Sequence, residues 1–341
     1  MIYYPIAIPT LNRYKHFKEC VESLAACTNA DKTELVIGLD YPPSEIYNEG
    51  WKQIKNYLPT IKGFGKITIF EHEKNLGPAQ NSNFLRAFCF EHYDAYIFSE
   101  DDNVFSPCFL DYMNKCLNKY KDDNSIMAIC SYINKNEFFS EQKNNTVLRI
   151  KGAFNAWGCG YWKNKYDIYK NKIIKDYRER ICNNRLEIIK AFSRPEQFKN
   201  FMEWLEFNPS LNRPCDITYA MTNLVLNKFV IYPTEYISKN MGFDGSGVNC
   251  GDVNNNSYSE RPIITKKTYD VIDNFTKILD KKNQRCFNNS QNFRINVKER
   301  FFYKTLILLY FCFGYNFTNR IKNYIHRLFN VFFKIISMGK L

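Results

Sequence analysis

Ala95-Tyr96-Ile97-Phe98-Ser99-Glu100-Asp101-Asp102-Asn103 is a short apolar run that passes directly into three consecutive carboxylates. The apolar part has the length and composition of a buried strand. Three adjacent carboxylates at a strand end repel one another unless a cation or a basic group relieves them. Oxygen ligands of this kind suit Mg²⁺ or Mn²⁺, which keep coordination positions for water and substrate phosphates. The competing reading is a solvated acidic turn. A second strand that ends in a carboxylate tips the balance toward the cation: Glu34-Leu35-Val36-Ile37-Gly38-Leu39 closes on Asp40 and is stopped by Tyr41-Pro42-Pro43.

Outward from these two strands the pattern alternates. Tyr3 to Pro9 reads as a first strand, followed by helical spacing at Phe17, Cys20, Val21 and Leu24. Lys66 to Phe70 is a third strand, and Pro78 to Phe90 a helix with Pro in its first turn. Ile126 to Cys130 is a further apolar run. Strand and helix in alternation predict an α/β fold with helices on both faces of the sheet. Ligands on such sheets bind at the carboxyl ends of the strands. Asp40 and Glu100 to Asp102 are therefore expected to face one crevice.

Beyond about residue 150 the pattern loosens. Gly152 to Trp162 reads as a Gly- and aromatic-rich loop, Asn164 to Trp204 as mostly helical, Lys228 to Pro233 as a strand, and Lys239 to Asn256 as a long Gly/Asn/Asp loop. The expected organisation is one domain over 1–256, divided into a nucleotide-binding half (1–130) and an acceptor half (131–256). A polar linker or arm over 257–300 and a tail over 301–341 follow.

The chain has 341 residues, 45% of them apolar, which suffices for one large α/β domain with an appendage. Its net charge of +12 suits an anionic ligand or membrane. Nucleic acid is not expected as a partner, since no zinc-finger spacing, RNP-like segment or basic zipper is present. None of the twelve cysteines forms a Cys-x-x-Cys pair, and several sit in apolar runs. That usage, with no signal-peptide pattern at the N-terminus, points to a reducing cytoplasm.

Four further features carry possible chemistry. Asp40 could accept a hydrogen bond from a base N–H, or simply initiate a turn. Trp157-Gly158-Cys159-Gly160-Tyr161-Trp162 offers aromatic faces for a sugar, or forms a buried corner. Asp216 starts an apolar helical run and is either a cap or a general base, with Glu203 and Glu206 as competitors for the second role. From Phe301 to Leu341 there are six Lys/Arg and no Asp or Glu. Ile321, Tyr324, Ile325, Leu328, Phe332 and Ile336 there mark one helical face. Such a helix suits the surface of an anionic bilayer, or packs on the protein's own core. Leu306 to Phe313 is too short to span alone.

Taken together, these segments resemble GT-A glycosyltransferases, and most closely the branch of N-acetylglucosaminyltransferase I and its bacterial relatives. Ile6 to Arg13, with Pro9, Thr10 and Asn12, resembles the first nucleotide-binding strand and turn. Asn75-Leu76-Gly77-Pro78-Ala79 resembles the segment before the donor-contacting helix. Glu100-Asp101-Asp102 matches the Glu-Asp-Asp form of the Asp-x-Asp motif. The resemblance implies that Asp102 ligates a metal beside Glu100, that Asp101 lies near the ribose and that Asp216 is the catalytic base. It further implies that Asn240-x-Gly242-x-Asp244-Gly245-x-Gly247 folds over the donor. Cys215 and Asn249 stand where relatives often carry Trp and His. The implied activity is an inverting, Mn²⁺- or Mg²⁺-dependent transfer from a nucleotide-sugar, most simply a UDP-sugar. The acceptor would be a glycan or lipid-linked glycan of a surface polysaccharide, at the inner membrane face. The alternatives are a metal-dependent phosphoester hydrolase or nuclease and a non-catalytic membrane-bound scaffold.

Overall fold

The structure is a computed structural model that describes residues 1–133, 145–170, 185–192, 194–207, 216–247, 260, 262–290 and 296–338. These residues form two compact units. The first comprises Met1–Tyr166 and Lys228–Ser290, the second Asp167–Asn227 and Gln291–Leu341.

The first unit is built on an eight-stranded mixed sheet. Its strands are β1 (Ile6–Thr10), β2 (Glu34–Leu39), β3 (Lys66–Glu71), β4 (Ala95–Phe98), β6 (Ile126–Cys130), β7 (Val147–Ile150), β8 (Cys159–Trp162) and β9 (Phe229–Pro233). A separate two-stranded sheet pairs β5 (Asn103–Phe105) with β10 (Ser238–Asn240). The large sheet has the order β3-β2-β1-β4-β8-β6-β9-β7. β3, β2, β1 and β4 run parallel, as the alternation predicts, whereas β8 lies antiparallel between β4 and β6.

Period-two alternation sorts the side chains onto two faces. Ile6 and Ile8 of β1 and Leu35, Ile37 and Leu39 of β2 join one core cluster with Phe17 and Leu24 of α1 (Tyr14–Ala25) and Leu110 and Met113 of α4 (Phe109–Lys119). On the opposite face α3 (Pro78–His92) brings Leu85 against Gly38, where an added Cβ would lie 3.1 Å from Leu85 and 2.3 Å from Asn81 Oδ1. Helices thus cover both faces, and strands so enclosed read as continuous apolar runs.

β8 departs from the expected loop. Gly160 is required there because a Cβ would meet Met113 and Leu117 of α4 at 3.0 and 3.1 Å. The Gly160 that reads as loop is instead the condition for close helix–sheet packing. Residues 262–290, expected within a linker or arm, are also packed. Ser106 Oγ donates to Ile264 O, Tyr269 N to Asp111 Oδ2, and Arg149 grips Asp280 through Nε and Nη2. Ile264, Tyr269, Val271 and Phe275 supply the apolar contacts.

Lys165, in the helix Lys163–Lys170, is buried against the Trp162 ring at 3.9 Å and donates to Tyr120 O and Asp123 O at 2.7 and 2.8 Å. Burial lowers its pKa to about 8 from the ordinary 10.5, against the opposing pull of Asp123 and Asp122. A neutral amine still has the two N–H groups those carbonyls need. Between these two values the unfolded chain binds more protons than the folded one, so this residue's contribution to stability rises with pH. The stability difference between the wild type and Lys165→Met should therefore move in favour of the wild type from pH 8 to 10.5. The slope is at most about 1.4 kcal/mol per pH unit. A pH-independent difference in urea unfolding would contradict it.

In the second unit the core joins Ile188, Phe192, Phe198, Phe201, Met202 and Leu205 with Phe302, Leu306 and Tyr310. The early part of the expected tail is thus core-packed, whereas Tyr324, Leu328 and Phe332 are exposed. Among the described residues no helix is long and apolar enough to cross a membrane.

Candidate active site

Parallel pairing of β1 with β2 and β4 aligns their carboxyl ends. Ser99 N donates to Ala7 O and Asp40 N to Thr10 O. The carboxylates after β2 and β4 consequently flank the turn after β1. Asp40, Asp101 and Asp102 are all buried there, none more than 7% exposed.

Asp101 and Asp102 converge on Arg13, which lies just beyond β1. Arg13 Nη1 donates to Asp102 Oδ2 at 2.8 Å, and Nη2 to Asp101 Oδ1. Thr10 Oγ1 donates to the other oxygen of Asp101 at 2.9 Å. Burial pushes the Asp101 carboxyl above its ordinary range, partly offset by Arg13, and Asp102 adds to the rise. Burial works against the Arg13 charge, but Asp101 and Asp102 outweigh it and hold the guanidinium above its usual value. One cation is thus shared by two carboxylates in a site sheltered from water.

A brace arrives from far along the chain. Because β10 pairs with β5, Asn240 stands opposite Asn103. Its Nδ2 donates to Asp102 Oδ1 at 2.8 Å and to Asn103 Oδ1 at 3.1 Å, and its Oδ1 accepts from Gly242 N at 2.9 Å. Met241 N donates to Asp102 O at 2.8 Å. Gly242 passes so close that a Cβ would lie 2.1 Å from Asp102 Oδ2. Gly242→Ala should therefore displace that carboxylate, and a shift of about 1 Å at a catalytic group costs on the order of 100-fold in rate. Turnover measured beside an unchanged melting temperature checks this; wild-type turnover would refute it.

Beyond Gly242 the chain stays near the same end of the sheet. The Phe243 ring meets Trp157 edge-on at 5.6 Å, and Trp157 meets Tyr132 at 4.6 Å. Asp244 Oδ2 lies 2.9 Å from His16 Nε2 of α1. Burial opposes its ionisation, but hydrogen bonds from Ser246 and the contact with His16 bring the Asp244 carboxyl down to about 2. The Gly/aromatic segment and the 240s segment therefore meet at the Trp157–Phe243 contact. Asn249 and Cys215 lie outside the described residues.

Asp40 has a different set of partners. Its Oδ1 accepts from Tyr41 N and Leu76 N, and its Oδ2 from Gly77 N and Asn75 Nδ2. Asn75 also donates to Tyr41 O at 2.6 Å. Those four bonds use the usual capacity of a carboxylate. Asp40 thus holds the 75–77 turn beside the strand end, with Gly77 at φ 76° before the Pro78 start of α3. Pro9 lies within β1, and Asn12 lies in the following turn, where its carbonyl packs so tightly on Gly50 that a Cβ there would come within 1.9 Å.

Glu100 is only partly buried and is not a partner in the Arg13 clamp. Its main-chain carbonyl accepts from Ser99 Oγ and Asn103 Nδ2. Of the acidic triplet, Asp101 rather than Glu100 is paired with Asp102. Among the described residues no three His, Cys, Asp or Glu side chains form a ready metal-holding group. The donor chemistry nevertheless fits a hard divalent ion, which takes one or two carboxylates and fills its remaining positions with substrate phosphate and water. Arg13 stands in for such a cation.

Asp216 belongs to the second unit, where it heads the helix Asp216–Val225 and is partly buried. Glu203 and Glu206 lie exposed on the helix Pro195–Phe207, and Glu206 pairs with Lys322 at 2.6 Å.

Nothing local in the sequence marks Arg13 or His16 as part of the site. The available signal for Arg13 is a guanidinium three residues past Thr10, just after a strand that pairs with the one carrying the acids.

The description Glycosyl transferase family 2 matches residues 6–182. This is coarser than the N-acetylglucosaminyltransferase I-like branch that the motifs resemble. No curated protein matches the chain. Solved structures that align with it include the mannosyltransferase PcManGT from Pyrobaculum calidifontis in complex with GDP-Man and Mn²⁺. That alignment has 15% identity and a TM-score of 0.34, over 48% of this chain and 45% of that one. S. aureus TarS aligns at 13% identity and a TM-score of 0.34, over 47% of this chain and 28% of that one. S. aureus TarS 1-349 in complex with UDP-GlcNAc aligns at 11% identity and 0.43, over 92% and 73%. The chain thus spans less than half the length of the first two.

Proposed function

The chain belongs to glycosyl transferase family 2, and from that premise we propose that it moves a sugar from a UDP-sugar to a hydroxyl of a lipid-linked glycan. The family makes it a glycosyltransferase rather than a phosphoester hydrolase or a scaffold. The observation that most supports a nucleotide-sugar site is the convergence of Asp101 and Asp102 on one cation at the carboxyl ends of β1 and β4.

In this reading Asp102 and Asp101 hold Mn²⁺ or Mg²⁺. When bound, the ion neutralises charge gathering on the departing diphosphate. Arg13, released from the acid pair, supplies a second positive group to the donor phosphates. Asp40 keeps the 75–77 turn in place beside the nucleotide, and Pro9, Thr10 and Asn12 form the floor of that pocket. Trp157 and Phe243 offer ring faces to the sugar and exclude water. Asp216 takes the proton of the acceptor hydroxyl as its oxygen bonds to the anomeric carbon and the bond to the diphosphate oxygen breaks. One displacement inverts the anomeric centre and releases UDP. The basic segment 301–341 keeps the enzyme at an anionic membrane where such acceptors reside.

Thermal shift against UDP, GDP and ADP, each with and without Mn²⁺, tests the donor assignment. UDP with Mn²⁺ should raise the melting temperature most, and mass spectrometry of products across a donor panel then names the sugar. A shift with GDP alone, or with no nucleotide, would overturn the UDP assignment.

A further inference from the structure

The helix Val297–Met338 does not run straight. At Gly314 the backbone leaves the helix with φ 79° and ψ −179°, a conformation open to glycine and strained for other residues. The Phe302 ring lies 5.3 Å from His326 and 6.0 Å from Phe329. In an unbroken helix residues this far apart would be separated by about 36 Å or more. The chain therefore doubles back at Gly314 into two antiparallel arms.

The turn is built rather than frayed. Arg185 Nη1 donates to Cys312 O at 2.6 Å and to Phe311 O at 3.3 Å, satisfying carbonyls at the end of the first arm. Thr318 Oγ1 donates to Gly314 O at 2.8 Å at the start of the second. Around this turn Phe311, Phe313 and Phe317 are 48%, 56% and 42% exposed. The exposed apolar pattern continues down the second arm at seven-residue spacing, through Tyr324 and Val331. Arg320 and Arg327, both exposed, each follow an apolar member of that stripe by three residues and share its face.

We propose that this hairpin is a monotopic membrane anchor, whose Phe311, Phe313 and Phe317 tip enters the interface of an anionic bilayer while Arg320 and Arg327 engage lipid phosphates. Charge decides between this occupant and a second copy of the chain. The segment 301–341 has six Lys/Arg and no Asp or Glu. Two copies meeting stripe to stripe would place arginines against arginines, whereas anionic headgroups complement them. Rings that enter the interface beside basic residues whose stems lie along the apolar surface are the arrangement such helices use. The inference deepens the membrane part of the proposed function. Its test uses neither donor nor acceptor, so the two readings fail separately.

The full chain is sedimented with vesicles of phosphatidylcholine alone and of phosphatidylcholine mixed with phosphatidylglycerol. It should pellet with the mixed vesicles and be released by salt. Replacing Arg320 and Arg327 by Gln should lower partitioning about 25-fold, from roughly fivefold per cation. The Phe311→Ser/Phe313→Ser/Phe317→Ser variant should lose binding by about tenfold or more at low salt. Phe313→Ser alone serves if the triple variant lacks a cooperative melt. Retention of the tip variants at the wild-type level, or wild-type protein left in the supernatant with mixed vesicles, would overturn the anchor. A lipid-free dimer in sedimentation velocity, abolished by the tip substitutions, would assign the surface to a second copy instead.

Discussion

Asp102→Ala should lower kcat/KM for sugar transfer by at least about a thousandfold, the effect of losing several kcal/mol of charge stabilisation at the leaving group. The side chain does two jobs in the structure. Oδ2 shares a cation with Asp101, and Oδ1 holds the Asn240 brace. Removing it also leaves one donor of the buried Asn240 amide without its acceptor, at a cost of about 1–3 kcal/mol. Asp102→Asn separates the two contributions, because it preserves shape while discarding the charge. Calorimetric titration of UDP with and without Mn²⁺ reads the site directly. In the wild type the metal should strengthen UDP binding, and in both variants that gain should vanish. An Asp102→Ala protein that binds UDP with Mn²⁺ as the wild type does would remove Asp102 from the donor site.

Asp216→Asn should reduce kcat by about 10²- to 10⁴-fold, the usual contribution of a positioned general base, while donor affinity stays within about twofold. Asp216 is the first residue of the helix Asp216–Val225, where loss of its charge costs only about 0.3–1 kcal/mol against the helix dipole. The loss of rate should therefore far exceed any change in stability. The single-turnover rate, measured with saturating donor and acceptor, is the deciding quantity. Full activity would pass the role to Glu203 or Glu206. Of these, Glu206 is already committed to Lys322, so Glu203 would be the next residue to replace.

The parts of the fold legible in the sequence were those in which one strand or helix states its own pattern. β1, β2, β3, β4, β6 and β9 are apolar runs that need no partner to be recognised, and they fall where periodicity puts them. β8 was hidden because its Gly160 answers to the bulk of Met113 and Leu117, side chains on a different element. β5 and β10 are three residues each, too short to carry a period. The packed strap at 262–275 was masked by polar neighbours spaced among its few apolar contacts.

The same distinction runs through the site. That Asp40 and the acidic triplet share one end of the sheet followed from strand ends alone. Which carboxylate pairs with Asp102, and that Arg13 lies between the two, depend on packing across 88 and 89 residues of chain. No local pattern encodes those contacts. Asp40 illustrates the remainder, since three of the four donors gathered on it come from the 75–77 turn, whose course only the tertiary structure reveals.

The bracing of Asp102 by Asn240 also sets a timetable. The two residues are 138 positions apart, so at about 5–20 residues per second a ribosome delivers the second roughly 7 to 28 s after the first. Throughout that interval a newborn chain carries its acid pair without the late strand, while Arg13, made earlier, is already at hand. Among the described residues of the amino-terminal half, the Arg13 guanidinium is the cation that pairs with both acids. A nascent chain stalled before Ser238 should accordingly collapse with Arg13 in place yet gain no catalytic competence until β10 emerges.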